Sequence, residues 1–375
     1  MRRPMDRQTR GHRHHTGSRH MLCPPRALAP WVVWSALALP IAGAHAGAPP
    51  WGGDWTTSIR AEHPLAGALL DPATANVLDA AAVANRLRGA DVVLLGEKHD
   101  NPDHHRAQAW ILEGLVTAGR RPALVLEMLD SRQGPALAEY LANADATAAG
   151  LGAAVHWADS GWPDWTHYQP IAEVALNAGL PVLPGNLPTD TVRRVAGAGA
   201  EAVLGAEGLA PRALDVPLPT DLTEALGAEI RRGHCDMLPD AALPGMIAAQ
   251  RVRDGEMARA LLSGRARDDT DSAVLIAGNG HVRSDRAVPW YLAQRAPDVR
   301  SVSVGILEIG PDLPATPTPA DLRDTEAPVA TAPQPFDLIM LTPALDDVDP
   351  CEAFRAQLER LRERKDDEPA LPSGD

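Results

Sequence analysis

The stretch Leu94-Leu95-Gly96-Glu97-Lys98-His99-Asp100 sets an acid and an imidazole directly behind an apolar run, and His104 and His105 follow. The Glu97 carboxylate and the His99, His104 and His105 imidazoles, all within nine residues, can ligate a first-row metal or exchange protons. Glu127 repeats the theme after Ala-Leu-Val-Leu, where core packing does not explain an acid. It reads either as a cap for the next helix or as a site residue. Ala277-Gly278-Asn279-Gly280-His281 closes a third run, with glycines that let the backbone turn sharply beside a ligand. Glu97, His99, Glu127 and His281 therefore make a candidate set for a divalent metal. Such an ion lowers the pKa of its water to about 7, and Glu97 would be the base of a peptidase or esterase. His105, with Lys98, Asp100 and Asp103, reads more simply as a solvated helix start.

These groups act together only if the intervening chain aligns them. Short apolar runs at 91–95, 123–128, 181–183, 273–277, 301–309 and 336–341 read as strands. Helical stretches separate them, at 102–118, 134–143, 166–178, 190–195, 220–232, 244–262 and 288–295. Asn101-Pro102 opens the first of these by cap chemistry. His104 shares a face of it with Gln108, Ile111 and Leu115, a face that points to the sheet. The alternation predicts an α/β fold, with a central, largely parallel sheet flanked by helices in a single large domain. In such sheets ligands bind beyond the carboxyl ends of the strands.

The chain has 375 residues, of which 45% are hydrophobic but only 4% aromatic, so its core is mainly Ala, Leu and Val. There are three Tyr and two Phe against nine Trp, which leaves few candidates for any role needing a phenol. Trp157, Trp162, Trp165, His167 and Tyr168 form the densest aromatic cluster. It is either a local hydrophobic knot or the wall of a flat cofactor such as haem, whose ferric iron accepts a tyrosine phenolate. On the 244–262 helix, Gln250 and Asp254 share a stripe with Ile247, Ala258 and Leu261. Neighbouring Arg253 serves either a structural network with an Asp or a ligand carboxylate.

Residues 1–26 carry seven Arg and one acid; an apolar run to about Ala44 and the Ala44-His45-Ala46 exit follow. This reads as a secretory signal peptide over 1–46, cleaved on export, with membrane association only if it is retained. Losing seven arginines and one acid takes the net charge from −14 to −20, which disfavours nucleic acid as a partner. An oxidising compartment makes Cys235 and Cys351, left after loss of Cys23, a plausible disulfide. Residues 47–89 read as an N-terminal extension, 311–335 as a Pro-rich surface loop and 346–375 as a charged helix and tail.

Seven segments, LLGEKHDNPDHHRAQ (94–108), LVLEM (124–128), DWTHYQPI (164–171), GHCDMLP (233–239), AQRVRDGEMA (249–258), AGNGHVRSDRAVPWYL (277–292) and FDLIMLTPA (336–344), resemble in consistent order the ChaN-like haem-binding uptake family of the Tiki/TraB and erythromycin-esterase-like superfamily. The resemblance places a haem-binding domain over 90–345. It implies an exported, periplasmic protein that binds haem for iron uptake, at a homodimer contact, and hands it to an uptake receptor or transporter. Carried across residue by residue, Tyr168 is the first choice of axial donor and Tyr291 the second; Tyr140, which lies in no matching segment, is the third. His99, His104 and His281 are candidates for a second ligand or for a hydrogen bond to the phenolate. Arg253 and Arg283 are candidates for the propionates. Gly96-Glu97-Lys98-His99 is one residue shorter than the Gly-Glu-x-x-His start of the superfamily's metal-dependent hydrolases.

Overall fold

The computed structural model describes residues 47–323 and 334–366, all of which fall in one compact unit. The signal-like segment 1–46, the 324–333 part of the Pro-rich stretch and the end of the tail lie outside the described residues.

Eight strands form one sheet: β1 (Leu69–Asp71), β2 (Asn76–Val77), β3 (Val92–Leu95), β4 (Pro122–Asp130), β5 (Val182–Asn186), β6 (Ser272–Ile276), β7 (Ser301–Glu308) and β8 (Leu338–Thr342). Their spatial order is β2-β1-β8-β7-β3-β6-β4-β5. The pairs from β8 to β5 are parallel, and β1 and β2 add an antiparallel edge. The described helices are α1 (Ala80–Arg88), α2 (Pro102–Thr117), α3 (Gly134–Leu141), α4 (Ala148–Ala154), α5 (Trp165–Asn177), α6 (Thr189–Ala198), α7 (Ala200–Leu209), α8 (Thr220–Gly233), α9 (Leu243–Arg265), α10 (Val288–Arg295) and α11 (Pro350–Asp366). None is long and apolar enough to cross a membrane.

The sheet is buried on both faces, so its strands are continuous apolar runs in which successive side chains serve opposite layers. Val93, Leu95, Leu124, Leu126, Val274 and Ile276 pack with α1 to α5. Val92, Leu94, Ala123, Val125, Ala273 and Leu275 pack with α9 and α10. Asn101 caps α2 by accepting the Asp103 N–H at 3.0 Å, as its sequence predicts. Thr147 caps α4 through the Gly150 N–H, so the Gly/Ala stretch after α3 is a helix.

The extension at 47–89 is built into this body. β1 pairs with β8, and the buried Asp103 carboxylate accepts the Thr56 and Thr57 N–H groups and the Thr57 hydroxyl at 2.7–3.0 Å. Cys235, just past α8, is disulfide-bonded to Cys351 of α11.

Candidate functional site

β6 lies between β3 and β4, and Leu95, Ile276 and Leu126 are in register. The three chemistry-bearing segments therefore leave the sheet side by side at its C-terminal edge. Side-chain parity then divides them. Glu97 continues the set of Val93 and Leu95 and points to the α2–α5 layer. Glu127 continues the set of Ala123 and Val125 and points to α9. Gly96 ends β3 beneath Asn279, whose side chain reaches over to accept the Ile306 N–H (3.2 Å) and donate to its carbonyl (2.8 Å). A Cβ on Gly96 would collide with the Asn279 side chain and lie 2.9 Å from Val282, so only glycine fits.

Glu97 is buried at 2% exposure and is the hub of the first cluster. Its Oε1 accepts the Tyr168 hydroxyl at 2.8 Å and lies 2.6 Å from His99 Nδ1. Its Oε2 accepts the Gln108 side-chain N–H at 2.8 Å and lies 3.2 Å from His105 Nδ1. His105 Nε2 is 3.0 Å from the His99 carbonyl, so both of its ring nitrogens face acceptors. Burial works against the Glu97 charge. His105 and the His99 hydrogen bond outweigh it and hold the carboxyl well below the carboxylate range. Burial likewise opposes a charged His99, but the Glu97 hydrogen bond and the Glu127 and Glu97 charges raise it.

The second cluster is a buried row. His281 Nδ1 lies 2.6 Å from Asp254 Oδ1, and its Nε2 lies 3.2 Å from Glu127 Oε1. Gln250 of α9 reaches the same ring at 3.1 Å, and the Gly278 N–H donates to Glu127 Oε2 at 2.8 Å. Burial disfavours the imidazolium, but the two flanking carboxylates push His281 up to about 10. Burial opposes the Glu127 charge too, yet His281, His99 and the Gly278 N–H bring it down to about 2. Asp254 is raised, because for it burial prevails. The clusters meet over Gly278: a Cβ there would lie 3.0 Å from His99 Nε2 and 3.8 Å from Glu127 Oε2.

Beside this edge, over the ends of β4 and β5, opens a cavity of about 820 Å³. That is the size of a small-molecule or cofactor site. Met128, Val155, Trp162 and Leu187 supply its apolar wall. Arg193 and Arg253 also line it, and neither makes a hydrogen bond or ion pair with another described residue. Arg132 is there too, but is paired with Asp190 at 2.6 Å. Trp162 in addition meets the His99 ring edge-on, with centroids 4.7 Å apart.

The other residues singled out in the sequence fall elsewhere. His104 is fully buried; its Nδ1 accepts the Lys98 N–H at 2.8 Å and its Nε2 meets the Thr342 hydroxyl at 2.9 Å. Burial brings it down to about 3, so it is a neutral ring with both nitrogens engaged. Tyr168 is 1% exposed, wedged between His105 and Trp157. Burial and the Glu97 charge raise its phenol, against the phenolate a ferric iron would take. Tyr291 lies in the other layer beside Arg251 (3.2 Å), and the Tyr140 hydroxyl donates to the Thr147 carbonyl at 3.0 Å. Arg283 clasps Asp285 at 2.8 and 2.9 Å and does not line the cavity.

The expected divalent-metal set is not supported. Among the described residues no group of three or more His, Cys, Asp or Glu is disposed to hold a metal ion. The physical reason is that Glu97 and Glu127 spend their oxygens on buried imidazoles, a phenol and N–H groups.

A sequence model described as haem-binding uptake, Tiki superfamily, ChaN matches residues 83–292, more than half of the chain. The chain belongs to this haem-binding uptake family. A solved structure, described as cofacial heme binding to ChaN of Campylobacter jejuni, has a similar fold. It aligns with a TM-score of 0.54 at 20% identity, over 72% of this chain and 95% of that one. A looser likeness, at a TM-score of 0.37 and 14% identity over 72% and 95%, is to a mutant erythromycin esterase, EreC, in its open conformation. No curated protein matches.

Within this ChaN-family chain, sequence reasoning passed over His105 as solvated, although it is fully buried on Glu97. Its spacing of three from Gln108 on one helix face was the available signal. Arg193 and His156, which also line the cavity, carried no signal, because the cavity is assembled from separate segments of β4, β5, α6, α9 and the loop before α5.

Proposed function

We propose that this protein binds haem in the cavity over β4 and β5 and takes part in haem or iron uptake. The observation that carries the reading is the pair of unpartnered guanidinium groups, Arg253 and Arg193, facing an apolar wall with an indole in it. A haem asks for this chemistry: flat apolar contact on the macrocycle and cations for its two propionates. Bound haem would supply an iron centre; the chain's own residues would bind, orient and shield it. Trp162, Val155 and Leu187 would cover its face, and Arg253 and Arg193 would hold its carboxylates. Glu97 and Glu127 would fix the floor through their buried partners. Arg283, already clasped by Asp285, is left with a structural role in this reading.

The setting belongs to the same proposal. Cleavage after 46 would export the chain to the periplasm, leaving the domain at 90–345 with 47–89 packed on it. The Campylobacter jejuni ChaN is described by cofacial heme binding, and we extend that binding here to a homodimer that passes haem to an uptake receptor or transporter.

The test is a hemin titration of the chain lacking 1–46. It should give a saturable Soret change, and Arg253→Ala should weaken affinity by about tenfold, the worth of one partly exposed charge-assisted contact. Its melting temperature should be unchanged, because Arg253 has no partner to lose. A featureless, unsaturating titration would remove the proposal.

A further inference from the structure

We propose that Tyr168, Trp157 and Trp165 form a path for single electrons between the cavity over β4 and β5 and the protein surface, by which an oxidising equivalent raised at the cavity is carried off. The origin of that equivalent rests on the haem reading above; the path itself rests on the rings. Trp162 lines the cavity, but Trp157, Trp165 and Tyr168 do not, so a cofactor wall accounts for one of the four. The other three stand in a row, in a chain that is only 4% aromatic. Trp165 and Tyr168, three residues apart on α5, share a face of that helix. Trp157 stands between them, its ring centroid 4.8 Å from Trp165 and 4.8 Å from Tyr168. Electron exchange falls off steeply with distance, so rings in contact act as stepping stones. Tyr168 is the buried end of the row, and Trp165, half-buried, is the end that reaches solvent.

The polar groups on the rings differ in the way such a path needs. An oxidised phenol is a strong acid and must lose its proton. The Tyr168 hydroxyl already donates to Glu97 Oε1 at 2.8 Å, within reach for that transfer. Glu97 in turn lies 2.6 Å from His99, whose ring meets Trp162 at 4.7 Å, and this brings Tyr168 to the cavity edge. The Trp157 and Trp165 N–H groups donate to the Pro163 and Ala148 carbonyls, each at 2.8 Å, and a carbonyl takes no proton. The two indoles therefore pass charge on, while Tyr168 holds it. Trp165 is also fixed by close approach: a Cβ on Gly152 of α4 would lie 2.5 Å from its Cγ, so the ring rests on bare backbone. Tyr291 makes the contrast. It too meets an indole, Trp290 at 4.8 Å, but its hydroxyl is bonded to Arg251 at 3.2 Å and to no carboxylate among the described residues. Hydrogen peroxide is the oxidant, acting on the haem iron, a centre of one-electron and dioxygen chemistry. One electron leaves Tyr168 for the oxidised centre, and the phenol proton passes to Glu97 Oε1. One electron from Trp157 restores the phenol, with the proton returned, and one from Trp165 restores Trp157. A reductant in solution, such as ascorbate, supplies the last electron to Trp165.

Two measurements on the chain lacking 1–46 separate the path from its oxidant. Without hemin, azide radicals made by pulse radiolysis oxidise the indoles, and absorbance follows indolyl decay and phenoxyl growth. The parent should show a phenoxyl phase whose rate is independent of protein concentration. Tyr168→Phe should lose that phase and keep only the contribution of the Trp290–Tyr291 pair. Trp157→Phe should slow it severalfold, and so should Trp165→Phe, which is changed at the half-buried end and spares the core. Tyr140→Phe should leave it unchanged. Circular dichroism checks that each variant is folded. With hemin bound and hydrogen peroxide added, electron paramagnetic resonance of the rapidly frozen parent should show a phenoxyl signal that Tyr168→Phe lacks. Hemin should also bleach faster in Tyr168→Phe and Trp157→Phe than in the parent. The path is overturned if Tyr168→Phe, Trp157→Phe and Trp165→Phe all keep the parent phenoxyl phase. Conduction without hemin, together with equal bleaching in every variant, overturns the discharge of oxidant from the cavity. Failure of the parent to bind hemin removes the haem reading and that discharge, while the radiolysis result decides the path by itself.

Discussion

Replacing Glu97 by glutamine changes one atom and removes one charge, and the consequences can be worked through. The carboxylate is 2% exposed and takes four partners: the Tyr168 hydroxyl, the Gln108 N–H, and the His99 and His105 rings. Glutamine keeps one acceptor and turns an amide N–H toward a partner that was donating. At least one buried donor is left unmatched, and the raised His99 loses its charge partner. Removing one member of a buried ion pair costs about 3–5 kcal/mol. At ~2 °C per kcal/mol for a domain of this size, Glu97→Gln should melt about 6–10 °C lower. The measurements are thermal and urea unfolding followed by circular dichroism with the disulfide kept intact. The effect should also depend on pH with a definite sign. Glu97 raises His99, so their ion pair is complete at or below the ordinary imidazole range and fades as pH rises through the raised value. Glu97→Gln should therefore lose more stability near pH 6 than near pH 9. In the variant, His99 should titrate at a lower pH by nuclear magnetic resonance, since burial then acts with less opposition. A destabilisation below about 1 kcal/mol, the worth of a single ordinary hydrogen bond, would refute the view of Glu97 as the hub.

Three further outcomes follow from the same geometry. Gly96→Ala should destabilise by about 1–3 kcal/mol in urea unfolding, because its Cβ must displace the Asn279 side chain that clips β6 to β7. Reducing the Cys235–Cys351 bond, which spans 116 residues, should lower stability by roughly 2–4 kcal/mol, read as a fall in melting temperature with reductant. The Glu127–His281 pair should shape the pH profile. His281, raised from 6.5 to about 10, contributes fully below 6.5 and is lost as pH rises through about 10. Glu127, lowered from 4.5 to about 2, contributes fully above 4.5 and is lost as pH falls through about 2. Asp254, raised by burial, costs stability as pH rises from its ordinary 3.8 through its raised value. His281→Gln should flatten the alkaline limb of the urea-midpoint profile.

The parallel body of the fold was legible because its strands are buried on both faces and stand out as unbroken apolar runs. The run at 91–95 is β3 and that at 273–277 is β6, each to within a residue. β1 and β2 are three and two residues long, too short for any period to show. α1 and α4 are made largely of Ala, whose small side chain marks no face. The strand-end acids and imidazoles were legible for a related reason: an acid after four apolar residues breaks a pattern. What one-dimensional reading did not supply was pairing. His105 and Asp254 look like ordinary helix residues until α2 and α9 are laid on opposite faces of the sheet, where each meets a strand-end partner.

That placement also explains why the acids and imidazoles support a site without lining it as a metal cage. Strand parity sends Glu97 to one layer and Glu127 to the other, so the two carboxylates take different sets of partners. Each instead locks the helix it faces. On α9 the consequence is directional. Asp254 and Gln250, one turn apart, both grip His281 and thereby fix the rotation of the helix. A helix turns about 100° per residue, so the position before Asp254 points about 100° to one side of it, toward β4 and β5. That position is Arg253, and the cavity lies there. The buried row of charges thus sets the direction of a half-buried one. An Asp254→Asn variant should then weaken hemin binding though it touches no cavity atom, and its effect should vanish in an Arg253→Ala background. Independent, additive losses in the double variant would show that the helix is oriented by something else.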